Sequence, residues 1–231
     1  MKQFSDKAVI LTRTDFGEAD RIITFLTARH GKVKAIAKAV RKSKSKLAGG
    51  IELFSVSDIT VIVGRGEINT LISTRLVKHY ANIVKDLART QLAYEFIRLL
   101  NKNTETAAEF AYFKLIKTGF EALDDSSIDP ELTALWFNMQ LLKIAGHAPN
   151  LRSDSRGAKL KSSATYGFRL DDMHFAPQES AGDFTEHHIK FLRVGFAARG
   201  PRVLARVVEA SKLAEATQPL IQTMLKSSLR V

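Results

Sequence analysis

Over the first 80 residues, apolar side chains come in short runs or at every second position; beyond about residue 84 they recur every third or fourth. The first pattern predicts strands. Residues 7–13, KAVILTR, are a branched apolar run expected to be a buried strand, with the turn DFGEAD at 15–20 behind it. Residues 21–28, RIITFLTA, form a second strand, which His30-Gly31 ends. In the third, Val33, Ala35 and Ala37 alternate with Lys32, Lys34 and Lys38, so the small apolar side chains take one face and the lysines the other. Residues 51–63 alternate for most of their length and Gly64-Arg65-Gly66 stops them; INTLISTRLV, 68–77, supplies a fifth strand. Five short strands, tight glycine turns and one long connection predict a small closed or nearly closed barrel.

The second pattern predicts helices. Leu87, Leu92, Phe96, Leu99 and Leu100 share a helical face that ends at 101–104. Thr106 and Glu109 have capping-box spacing ahead of an amphipathic stretch holding Phe110, Phe113, Leu115, Ile116 and Phe120. Asp129-Pro130-Glu131 is a start signal for a third helix running to about Ala145 and stopping at Gly146. Residues 146–183 are irregular, rich in Gly, Pro, Ser and Asp, with a hairpin expected around Asp171-Asp172. Thr185 caps a further helix, and 203–213 and 219–229 are read as two more. The fold class is therefore α+β multidomain: a five-stranded barrel over 1–80, then an α-helical domain over 81–231 with a small irregular insertion at about 146–183.

Charge changes the picture of the barrel. The chain has formal net charge +11, and residues 1–80 carry fifteen Lys and Arg against seven Asp and Glu, whereas the rest is nearly balanced. Between Asp20 and Glu52 there are nine basic residues and no acidic one. Strand count does not separate an oligonucleotide-binding (OB) barrel from an SH3-like one; the basic face favours the former. Residues 41–50, RKSKSKLAGG, lack alternation and are expected to form a mobile basic loop leaving a sheet edge. The phosphate-seeking candidates are Arg21, Lys32, Lys34, Lys38, Arg41, Lys42, Lys44, Lys46 and Arg65; the alternative is a solvated charge run. Arg21 and Arg65 stand beside Asp20 and Glu67, their expected ion-pair partners if they do not meet phosphate. Four to six phosphate contacts would give single-strand affinity a log–log salt slope of roughly −3 to −4. Phe4, Phe25 and Phe54 are expected in the core; Phe16, in a glycine turn, is the one placed to meet a base.

Other chemistries find little support. The chain contains no cysteine, so disulfides and thiolate metal sites are excluded, and His147, His174, His187 and His188 include no i, i+4 pair. No phosphate loop, H-E-x-x-H or G-x-S-x-G motif occurs. Asp124, Asp125 and Asp129 lie in an interhelical loop, where turns and caps use such residues. No apolar run approaches membrane length, and the N-terminus lacks a secretory pattern. The expectation is a cytoplasmic protein that is not an enzyme and needs no cofactor or metal.

Three spaced blocks resemble the RecO family of bacterial DNA-repair proteins. Asp15-Phe16-Gly17-Glu18-Ala19-Asp20-Arg21 with His30-Gly31-Lys32 is similar to that family's first turn. Ala37-Lys38 followed by residues 41–49, RKSKSKLAG, resembles its A-K-G-x-R loop, and Gly64-Arg65-Gly66-Glu67 with Thr70-Leu71 its G-R-G-E turn. Ala39 stands where relatives usually have Gly, Glu52-Leu53-Phe54 replaces Gln-Pro-Phe, and the four-cysteine zinc knuckle many relatives carry is missing. The resemblance implies an OB barrel and a helical domain that bind single- and double-stranded DNA without sequence specificity. It implies association with the nucleoid, annealing of strands coated by single-strand-binding protein and, with RecR, loading of RecA, with RecF a candidate further member of the same RecFOR pathway. It also implies that the helical domain receives the acidic tail of single-strand-binding protein, for which Phe110, Phe113, Lys114, Lys117 and Trp136 are the candidates. The readings left open are an RNA-binding barrel of translation or ribosome assembly and a metal-dependent nuclease.

Overall fold

A computed structural model describes residues 2–105, 109–178 and 182–231, divided into two compact units, 1–125 and 126–231. The proposed capping residue Thr106 lies outside the described residues.

The first unit is built on a closed barrel of β1 (Gln3–Phe16), β2 (Asp20–Thr27), β3 (Lys32–Ala37), β4 (Ser55–Ile62) and β5 (Ile68–His79), in spatial order β1-β2-β3-β5-β4. The inward face is the apolar half of each alternating run: Ala8, Ile10, Ile23, Phe25, Ala35, Ala37, Ile59, Val61 and Leu71 are all buried. A register shift between Ile10 and Thr12 bends β1, so its first half pairs with β4 and its second with β2. Closure depends on β3 and β5, which pair in parallel only from Lys34↔Ile68 to Ile36↔Thr70. Past that short seam the connection 38–54 completes the wall. Val40 and Ile51 are buried in the barrel core, Leu47, Ala48 and Leu53 pack on it, and the Thr74 hydroxyl donates to the Leu47 carbonyl at 3.0 Å. A Cβ at Gly50 would collide with Thr74, so glycine is required there. The expected mobile loop is thus a folded plug, because its scattered apolar residues have barrel positions to fill.

Two helices complete this unit, α1 (Leu87–Asn103) and α2 (Phe110–Asp124). Asp86 caps α1 by accepting from the Arg89 N–H. The buried Arg89 guanidinium donates to the carbonyls of Leu123 and Asp125 at 2.9 and 3.0 Å, satisfying acceptors that α2 leaves open at its end. Phe120 of α2 meets Phe54 and Tyr80 in a ring cluster beside β4 and β5.

In the second unit, α3 (Pro130–Ile144) is buried on nearly every side, as expected of a helix apolar all round. The Asp129 side chain and Pro130 start it as the sequence predicts. Around it lie α4 (Glu186–Ala197), a 3₁₀ turn at Pro201–Arg206 and α5 (Ala210–Ser228). Here the sequence reading needs correction: 203–213 and 219–229 are not two helices, since α5 runs unbroken through Pro219. The Thr223 hydroxyl donates to the Pro219 carbonyl within that helix. The irregular insertion is an ordered three-stranded sheet of β6 (Asn150–Asp154), β7 (Thr165–Arg169) and β8 (His174–Gln178), in order β6-β8-β7. The expected hairpin is β7–β8; parallel pairing of β6 beside β8 went unread because only two register pairs hold it.

Candidate nucleic-acid interface

Strand directions divide the barrel into two rims. The β1–β2 turn, the end of β3 and the plug share one; the β2–β3 and β4–β5 turns share the other. On the first rim Ala39 turns the chain out of β3 with φ +52, and its N–H donates to Asp20 Oδ1 at 2.7 Å. That left-handed conformation accounts for the glycine expected at this place. The Arg41 N–H then donates to the Ala19 carbonyl at 2.9 Å, fastening the plug to the β1–β2 turn.

This framework gathers most of the candidate cations. Lys34 projects from the outer face of β3, opposite the buried Val33, Ala35 and Ala37 and beside Ile68, and Lys38, Lys42, Lys44 and Lys46 stand exposed on the plug. Among the described residues no carboxylate pairs with any of these five lysines. Arg21 and Arg41 are partly neutralised. Asp15 accepts from Arg21 Nε at 2.7 Å and lies 3.6 Å from Arg41 Nε. The Arg21 hydrogen bond, joined by the nearby Arg41 charge, holds the Asp15 carboxyl below the usual carboxylate range, so the trio keeps a net positive charge. Phe16, 52 % exposed, stands at the same rim, the one barrel aromatic there available for stacking. Phe25 and Phe54 are buried, and Phe4 stacks on His30 at 3.9 Å.

Two candidates fall outside this group. The Lys32 ammonium donates to the Asn101 carbonyl at 2.7 Å, so it serves the open end of α1. Arg65 is exposed but lies in the β4–β5 turn, on the opposite rim. The helical candidates are dispersed further. Phe113 is buried, and Trp136 is buried in the second unit with its indole N–H donated to the Ala198 carbonyl at 3.1 Å. Lys117 pairs with Glu121 at 2.9 Å; only Phe110 and Lys114 remain exposed and without such a partner. Of the three apolar candidates, Phe113 and Trp136 are taken up by two separate cores and Phe110 alone stands exposed.

Sequence reading missed the residue that pins the other rim. Asp6 has a side chain only 2 % exposed and accepts from the Lys7 and Arg29 N–H groups at 2.8 Å, Arg29 Nε at 3.2 Å and His30 Nδ1 at 2.7 Å. Burial pushes this carboxyl up, but the hydrogen bonds from His30 and Arg29 outweigh it and leave it below its ordinary value. Nothing in the local sequence marks Asp6, since Arg29 and His30, which supply three of its four hydrogen bonds, lie 23 and 24 residues away. Among the described residues no group of three or more His, Cys, Asp or Glu is placed to hold a metal, and no helix is long and apolar enough to cross a membrane.

A closed five-stranded barrel, oligonucleotide-binding-like in build and followed by helices, defines the class. Residues 1–80 match the profile "Recombination protein O N terminal" and residues 84–229 match "Recombination protein O C terminal"; the chain belongs to the recombination protein O family. Proteins named DNA repair protein RecO are its relatives. That of Dehalococcoides mccartyi (strain CBDB1) is 35% identical over 165 residues, 71% of this chain and 64% of the relative. Those of Myxococcus xanthus (strain DK1622) and Thermoanaerobacter sp. (strain X514) are 34% identical over 158 residues and 30% over 152. They cover 67% and 65% of this chain, and the chain spans 64% and 61% of their length.

Proposed function

We propose that this chain is a non-catalytic DNA-binding protein of recombinational repair, holding DNA by its backbone on the plug and the outer face of β3. The observation that carries the reading is a set of five exposed lysines without a carboxylate partner among the described residues: Lys38, Lys42, Lys44 and Lys46 on the plug at one rim, and Lys34 on the outer face of β3 leading to them. Cations without counter-charges bind phosphates by releasing condensed counterions, and they read no sequence. Single and double strands are both ligands on this account. Two strands held on a cationic surface have their mutual repulsion screened while their bases stay free, which is what annealing requires. Membership of the recombination protein O family supports a setting in recombinational repair; on this reading the chain anneals strands coated by single-strand-binding protein and cooperates with RecR in loading RecA, with RecF a candidate further partner.

The test is annealing of complementary oligonucleotides coated with single-strand-binding protein, with and without RecR, alongside a salt titration of single-strand binding. Five phosphate contacts predict a log–log slope of about −3.5. Annealing with that slope supports the reading; a flat salt response, strand cleavage, or preference for RNA over DNA of equal length would overturn it.

A further inference from the structure

The outer face of β1, β4 and β5 carries two cross-strand rows, one of hydroxyls and one of charges. Ser5, Thr60 and Ser73 are register neighbours, as are Lys7, Asp58 and Arg75. All six line a cleft of 580 Å³ in the first unit, together with Arg29 and Phe110. That volume is within the roughly 300–1,000 Å³ of small-ligand clefts. The charge row is nearly balanced: Asp58 accepts from Lys7 at 2.9 Å and from Arg75 at 2.6 Å. Even so the Arg75 side chain is 80 % exposed, and its remaining N–H groups are open to a ligand. Phe110, at the start of α2, presents a ring 59 % exposed beside these donors. An exposed phenyl ring at the border of guanidinium and hydroxyl donors is arranged to stack one flat heterocycle and to hold the phosphate attached to it.

We propose that this cleft is a second nucleic-acid site, which stacks an unpaired base of a single strand on Phe110 and holds the adjoining phosphate on Arg75. It rests on the DNA-binding reading above and adds to it a place for bases rather than backbone. An acidic peptide is the less suitable occupant, because a run of carboxylates would meet a row whose cations Asp58 already engages, whereas a base stacked on Phe110 asks only the open N–H groups of Arg75 to hold one phosphate. β1 links the two sites, with Asp15 and Phe16 at the lysine rim and Ser5 and Lys7 in the cleft, roughly 25–35 Å apart measured along the strand. Because the cleft has little surplus charge, affinity from it persists when salt has screened the lysines.

The experiment uses the full chain and a thymidine oligonucleotide bearing one 2-aminopurine, titrated at low and high salt. F110A is expected to weaken binding at high salt roughly 5- to 100-fold and to abolish quenching of the probe, while leaving the salt slope unchanged. F110W is expected to restore both, and thermal melting checks that the exposed position leaves the fold intact. Wild-type quenching and high-salt affinity in F110A would overturn the cleft assignment; if K42E/K44E/K46E still weakens low-salt binding, the lysine rim stands. An acidic, phenylalanine-ending peptide whose binding, rather than the oligonucleotide's, is lost in F110A would also overturn it. Absence of oligonucleotide binding by the wild type at both salts would sink both proposals.

Discussion

The lysine rim and the cleft lie on one barrel and differ in how their charge is arranged. At the rim, lysines stand on a plug whose carboxylate neighbours, Asp15 and Asp20, are engaged with Arg21, Arg41 and a backbone N–H. In the cleft, Asp58 is held by both Lys7 and Arg75, and its carboxyl lies below the usual range because of those hydrogen bonds, Arg75's the larger. The lesson is that counting basic residues does not locate a phosphate-binding surface. What matters is which cations lack a carboxylate, and this is decided by strand register.

The comparison breaks most visibly at the rim. K42E/K44E/K46E is expected to abolish annealing and to weaken low-salt single-strand binding by two to three orders of magnitude, about 3–4 kcal/mol, with a slope shallower by about 2. A smaller effect belongs to stability. D6N removes a buried charge that collects four hydrogen bonds, and chemical denaturation should show a loss of about 2 kcal/mol at neutral pH. The sign with pH follows from the lowered carboxyl. Its contribution is present above the ordinary value of 3.8 and is lost as pH falls through the still lower folded value, so wild type and D6N should converge in stability in acid. K32Q sharpens membership of the rim: losing the bond to Asn101 should cost about 1 kcal/mol of stability yet leave the salt slope of binding unchanged. The smallest change is a gain. A39G relieves a left-handed φ of +52 and should raise stability by about 0.5–1 kcal/mol, read as a small rise in melting temperature.

Most of the barrel was legible because alternation is local: Val33, Ala35 and Ala37 announce both their strand and their buried face. The Asp129-Pro130 start of α3 and the β7–β8 hairpin were legible for the same reason. What was not legible depends on distant partners. Lys32 and Lys34 look alike in sequence, and only the placement of Asn101, 69 residues on, diverts the first. Val40 and Leu47 follow no period, so their stretch of the plug read as a loop, and Ile51, read as the start of the fourth strand, belongs to the plug because β4 begins only at Ser55. Trp136 and Phe113 carried the signature of an exposed aromatic groove only while their cores were unknown. Pro219 suggested a break, but a proline interior to a long helix is tolerated where packing outweighs its cost; Leu220, Ile221, Met224 and Leu225 beyond it are buried.

The three-pair parallel contact between β3 and β5 has a thermodynamic consequence. Lys34 flanks that contact and Lys42, Lys44 and Lys46 crowd the segment that seals it, so electrostatic self-repulsion strains the weakest joint of the cylinder. Any polyanion that neutralises these ammonium groups therefore tightens the cylinder as it binds, and by linkage the melting temperature of the first unit rises with the concentration of bound strand. Heparin or inorganic polyphosphate would brace the joint in the same way.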